Sequence, residues 1–228
     1  MDLTDYNERA ARLGVLPEYR GTVTSIHGIN TLGHWQREIS TELQDAALRY
    51  HQINYGIIRL KMLWWQQSVA EMIVEALHEQ EDKWPSGPHG VIAHSFGTLC
   101  LGHALQRNPG LRVLKRICLF GAILPRDFPW RELRERNQYE SVLNETCRGD
   151  KWARLARYLP LKTGPSGCDG FLDAEPYVYN CPTEWTGHSG LGSRAQCRGT
   201  WLPFLLKGAL PPSCIQAGAA GNASQVRA

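Results

Sequence analysis

Short apolar runs and longer amphipathic stretches alternate along this chain, so the hydrophobic period switches repeatedly between two and about 3.6. "GTVTSIHG" (21–28) alternates β-branched residues and stops at a glycine, which predicts a strand. "WQREISTELQDAALRYH" follows with Ile39, Leu43, Ala46, Ala47 and Tyr50 at helical spacing. "INYGIIRL" (53–60) predicts a second strand. In "MLWWQQSVAEMIVEALHEQ", Trp65, Val69, Met72, Ile73, Ala76 and Leu77 share one helical face, and "WPSGPHG" ends that helix. "GVIA" is a core strand, and "TLCLGHALQRN" the helix after it.

"RVLKRICLFGAIL" (112–124) predicts the next strand, broken by "PRDFPW" and followed by a short charged helix. "ESVLNETCRGD" reads as strand then loop, "KWARLARYL" as helix, and "TGPSGCDGF" as a glycine-rich loop. "PYVYNCPTEW" is the last predicted strand and "GHSGLGS" a loop. "RAQCRGTWLPFLLKG" forms a final helix interrupted near Gly199 and Pro203. From Ala209 the chain is small, polar and unpatterned, which predicts one domain over 1–208 and a flexible tail over 209–228. Strands alternating with helices imply parallel βαβ units, and continuously apolar strands imply a sheet covered on both faces. Ligands of such sheets sit beyond the carboxyl ends of the strands.

The 228 residues suffice for one medium α/β domain. A formal net charge of +3, with basic and acidic residues interleaved as in "RELRER" (131–136), speaks against a nucleic-acid surface. No apolar stretch reaches the roughly 20 residues of a membrane span, so no integral membrane segment is expected. The N-terminus is polar and acidic, unlike a secretory signal. Seven cysteines without a C-x-x-C pair predict a reduced, cytoplasmic protein, with Cys100 and Cys118 in apolar runs as buried thiols and a Cys168–Cys181 disulfide left open. No metal-ligand spacing or phosphate loop occurs, so neither a metal nor an organic cofactor is expected.

The informative stretch is "GVIAHSFGTLC" (90–100), which sets a lone serine at the corner between a core strand and a helix. Ser95 is either a turn residue or an exposed nucleophile. Ala93-His94-Ser95-Phe96-Gly97 is similar to the G-x-S-x-G elbow, with alanine for the first glycine. Downstream, Asp150 ends a strand-plus-loop and precedes a helix. Asp127 in "LPRDFPW" is its rival, in a setting that suits a helix cap equally well. His188, between Gly187 and Gly190, follows the last strand. His103 lies within a helix, while His51, His78 and His89 are expected at the surface. His27 and His94 are expected to position backbone, and His34 to be structural.

In this order of motifs, and in "HGINTLGHW", the chain from about residue 23 to 206 resembles the α/β-hydrolase fold serine hydrolases of the esterase and lipase type. The resemblance implies a mostly parallel sheet with helices on both faces. It implies a serine esterase with Ser95 as nucleophile, His188 as general base and acid, and Asp150 as orienting carboxylate. It further implies an oxyanion hole from the Phe96 and Ile29 amides, with Gly28 and Asn30 in the adjoining loop. Trp35 and Trp185 flank those loops and are the pocket-wall candidates. The expected partner is a small-molecule acyl substrate; the oligomeric state is open, as is the choice among esterase, thioesterase and lysophospholipase. A non-catalytic binding module of the same fold is the reading from a different class. Only "PRDFPWRELRERNQY" fills the position of a large cap, and "LKTGPSGCDGFLDAE" is polar. These two segments predict a minimal cap and soluble short-chain substrates, without activation at an oil–water interface.

Overall fold

Six strands line up in parallel, flanked on both sides by helices, in a computed structural model that describes residues 19–29, 33–56, 65–85, 87–111, 113–159, 161–172, 176–183 and 192–216. The strands are β1 (Gly21–Ile26), β2 (Leu48–Ile53), β3 (His89–His94), β4 (Leu114–Phe120), β5 (Tyr139–Thr146), β6 (Val178–Pro182) and β7 (Ile215–Gln216). Their order across the sheet is β2-β1-β3-β4-β5-β6-β7, and the short β7 alone runs antiparallel. From β1 the chain goes outward to β2, then returns to the other side of β1 for β3. The order therefore reverses between β1 and β3, the switch point at which open sheets of this kind form their ligand crevice beyond the carboxyl ends of the strands.

Successive residues of a buried strand face opposite sides, and both sides are filled here. Val91, Ala93, Ile117, Leu119 and Val142 pack with helices α2 (Gln66–Lys83) and α3 (Phe96–Arg107). Val23, Ile92, Cys118, Phe120 and Leu143 pack with helix α1 (His34–Asp45) and the helical segment 194–207. The expected α/β architecture with two covered faces is what is observed.

Several boundaries differ from the sequence reading. Helix α1 stops at Asp45, where Ala47 takes a left-handed φ of 57°, so Ala46, Ala47 and Tyr50 do not continue it. The second strand is 48–53 rather than 53–60; residues 57–60 lie outside the described residues. As the edge of the sheet, β2 keeps polar Arg49, His51 and Gln52 between its buried ends, which hides it from a search for apolar runs. The buried stripe of α2 is Val69, Ala70, Ile73, Leu77 and Gln80. Trp65 and Met72 flank that stripe and are 56% and 42% exposed. His89, expected at the surface, is buried, its Nε2 2.8 Å from Thr24 Oγ1.

Two corrections concern the end of the chain. The segment 194–207 runs as α6 (Arg194–Gln196), a π-helical turn (Cys197–Trp201) and α7 (Leu202–Lys207), so the helix continues through Gly199 and Pro203 instead of being interrupted there. Beyond it, 209–216 stays on the fold instead of leaving it as a tail. Gln216 and Ile215 pair with Tyr179 and Asn180 of β6, and Cys214 is disulfide-bonded to Cys181. Closing a 33-residue loop in this way contributes about 3–4 kcal/mol in the chain-entropy account. The expectation of thiols throughout is thus corrected for Cys181 and Cys214, because β7 folds back beside β6. Cys168 remains a buried thiol. Among the described residues no helix is long and apolar enough to cross a membrane.

Candidate active site

Ser95 sits between the last residue of β3 and the first of α3, with φ 53° and ψ −122°. Such a conformation costs a non-glycine residue about 1–3 kcal/mol and persists only where the surroundings over-determine it. Here they do. The Ser95 amide donates to Phe120 O at 3.2 Å. Its carbonyl accepts from the Thr98 amide at 2.9 Å and from Thr98 Oγ1 at 2.6 Å. Thr98 Oγ1 accepts in turn from the Ile123 amide at 3.1 Å, which ties the corner to the end of β4.

The small residues around Ser95 have distinct reasons. A Cβ on Gly97 would lie 2.5 Å from His27 O and 2.8 Å from Ile26 Cγ2, so only glycine lets α3 lie against the end of β1. The Ala93 methyl is accommodated in the core, which explains how alanine replaces the first glycine of the elbow pattern.

The loop after β1 comes up against the serine. A Cβ on Gly28 would stand 2.9 Å from Ser95 Cβ and 3.3 Å from Ser95 Oγ. His27 anchors this loop: it is fully buried, stacks on Tyr55 at 4.0 Å between ring centroids, and places Nδ1 2.7 Å from Gly28 O. Burial holds its imidazole below the ordinary pKa, and Tyr55 Oη donates to its carbonyl. His27 thus shapes backbone, as expected. Phe96 is buried at the first position of α3, where helical amides have no partner within the helix. Ile29 is part-buried in the β1 loop, and Asn30 lies outside the described residues.

Asp150 is fully buried after β5, two strands from β3. It caps helix α5 (Lys151–Leu155), with one carboxylate oxygen accepting from the Ala153 amide at 2.9 Å. Its amide donates to Cys147 O at 3.0 Å, and the Cys168 thiol donates to its carbonyl at 2.8 Å. Its rival Asp127 is exposed, in the turn between β4 and α4 (Trp130–Glu135). His188 and Trp185 fall in 184–191, outside the described residues, on the stretch that follows β6. His34 is exposed at the start of α1. Trp35 is buried in an edge-on aromatic stack with His94, Phe120 and Trp201, which places it in the packed core beneath the serine corner. Among the described residues no cluster of three or more metal-ligating side chains occurs.

One buried acid was not singled out in the sequence. Glu145 lies on β5 facing segment 194–207, accepting from Gln196 Nε2 and, at 3.1 Å, from Trp201 Nε1. Its place beside Leu143 in an apolar strand, two residues along on the same face, was the available signal. Burial pushes its carboxyl up to about 8. The unfolded chain ionises near 4.5, so the fold opposes an ionisation that the unfolded chain allows. Stability from this group is greatest below that value, falls as pH rises toward 8 and is level above it. The full span is about 4–5 kcal/mol. In urea unfolding at pH 5 and pH 8, wild type loses stability between the two and Glu145→Gln loses far less. Parallel pH slopes in the two proteins contradict this account.

Neither a protein-family model nor a curated protein matches the sequence. Solved structures do. A zinc-bound, cold-adapted esterase from an Arctic intertidal metagenomic library is 14% identical, with a TM-score of 0.51 over 85% of each chain. A Listeria innocua gene product is 9% identical, with a TM-score of 0.50 over 85% of this chain and 96% of its own. A lipase in its open form is 18% identical over 49% of this chain, with a TM-score of 0.40, and this chain spans only 39% of that lipase. At these identities the likeness establishes the arrangement of strands and helices.

Proposed function

The chain has the α/β-hydrolase fold, and on that premise we propose that it is a serine hydrolase cleaving carboxylic ester or related acyl bonds. The observation that carries this reading is the backbone of Ser95. A polar residue is held in a left-handed corner at the sheet's crevice, and a glycine loop is packed against its hydroxyl. A structural serine has no need of that conformation.

In the proposed reaction His188 takes the Ser95 proton as Oγ attacks the acyl carbon. The oxyanion that forms is met by the amides of Phe96 and Ile29, and loss of one such donor costs about 100- to 1,000-fold in rate. His188 then protonates the leaving alcohol or thiol, and the acyl group stays on Ser95. Water, deprotonated by the same imidazole, attacks the acyl-enzyme, releases the acid and restores the serine. Asp150 fixes the imidazole tautomer and stabilises the imidazolium. Its burial, and the hydrogen bond that one carboxylate oxygen accepts from the Ala153 amide, suit an acid held in a fixed position. Small soluble esters are the proposed test substrates, since the segment between β4 and β5 holds only one short helix.

A fluorophosphonate probe tests the reading directly, because it labels only an activated serine. Labelling at Ser95 that is lost on heat denaturation is the expected result. A native protein that resists the probe at every concentration used would show that Ser95 is a turn residue.

A further inference from the structure

The first helix after Asp150 carries an unusual surface. Ala153 and Ala156 turn inward and are buried, which sets the opposite side of 151–158 toward solvent. On that side Trp152, Leu155 and Tyr158 are 66%, 53% and 77% exposed. Isolated exposed apolar residues need no explanation, but three at a spacing of three form a patch.

Cations are interleaved with them. Arg148, Lys151, Arg154 and Arg157 are exposed on the same segment, and Lys162 follows. The one acid within it, Asp150, is buried. Arg157 reaches Asp169 Oδ2 at 3.3 Å. Arg126 donates to Asp169 O at 3.1 Å, and its own carbonyl accepts from the Leu172 amide at 2.8 Å. Through these contacts the patch extends to Leu172, itself 57% exposed.

We infer that this face docks on an anionic lipid surface. The chemistry matches on two counts. Trp and Tyr carry an apolar body with a polar edge, which suits the boundary between headgroups and acyl chains. Lys and Arg extend past an apolar neighbour to reach phosphate or carboxylate headgroups. Each cation near such a surface raises partition about fivefold. The interleaving of the two types on one short helix favours lipid over a purely electrostatic partner.

The face adjoins the carboxyl edge of the sheet, so docking brings the crevice at Ser95 close to esters held in the interface. That consequence rests on the reading of Ser95 as nucleophile; the docking does not. The sequence expectation of no interfacial response was drawn from segments 125–139 and 161–175. The exposed aromatic surface lies mainly between them.

Co-flotation of the full chain with phosphatidylcholine vesicles, with and without phosphatidylserine, tests the inference. Binding is expected only with phosphatidylserine, and it weakens as salt rises. Lys151→Glu and Trp152→Ser/Tyr158→Ser each lower it about tenfold or more, while turnover of a soluble ester stays within about twofold of wild type. Ser95→Ala floats as wild type does, so loss of turnover with retained flotation counts only against the catalytic reading. Equal binding to both vesicles, or variants that float like wild type, overturns the docking face. So does retention on polyglutamate beads without flotation, which would assign the face to an acidic protein.

Discussion

Ester turnover is abolished in Ser95→Ala, and the protein remains folded. The corner is held by main-chain contacts: the residue 95 amide on Phe120 O, and its carbonyl under Thr98. Alanine keeps all of them and meets the same left-handed backbone with a side chain no larger than that of serine. The Tm therefore stays within about 3 °C, a shift that corresponds to roughly 1 kcal/mol in a chain of this size. The reaction, by contrast, loses its only proposed nucleophile. For a triad serine the scale of that loss is about 10⁶-fold in kcat. The residual rate, if any, reflects substrate held against the two amides. Steady-state kinetics beside a thermal melt decides the matter. Wild-type turnover by a folded Ser95→Ala protein would remove Ser95 from the mechanism.

Asp150→Asn has the next largest effect. The asparagine amide oxygen still accepts from the Ala153 amide, so the helix keeps its cap and the fold its stability. What changes is the partner offered to the histidine. An amide favours the wrong tautomer of the imidazole and gives no charge to balance the imidazolium. A fall of about 10⁴-fold in kcat is the scale known for this change in another serine triad. Asp127→Asn, at an exposed turn, alters kcat by less than about twofold. Measuring both on folded variants ranks the two acids. The opposite ranking would hand the role to Asp127.

The contrast between these two aspartates shows what a sequence can and cannot carry. Both follow a strand and precede a helix, so chain order and local pattern treat them alike. Burial separates them: Asp150 is closed off beneath α5 and the short helix 166–169 bearing Cys168, whereas Asp127 faces water. Burial is a sum over residues distant in the chain, and no local window contains it. The same holds for Glu145, whose carboxyl is raised by burial and held against that rise by hydrogen bonds from Trp201 and Gln196, more than fifty positions away. The disulfide follows the same rule. The sequence reading expected thiols and left only a Cys168–Cys181 pair open, and the short antiparallel return of β7 supplied Cys214 as the partner of Cys181.

By itself the sequence determined the alternation of strand and helix, and therefore a mostly parallel sheet covered on both faces, because hydrophobic period is a local property of the backbone. It also determined the serine corner. An apolar strand run, a lone serine, a glycine and a helical run stand side by side in residues 90–107, so the strand–turn–helix corner is written in adjacent residues. The tertiary structure alone decided that Gly28 abuts Ser95. Residues 28 and 95 meet only because β3 returns to lie beside β1. It alone decided that Trp35 packs in the core and that Trp152, Leu155 and Tyr158 face outward, since the side a helix hides is set by what lies beneath it.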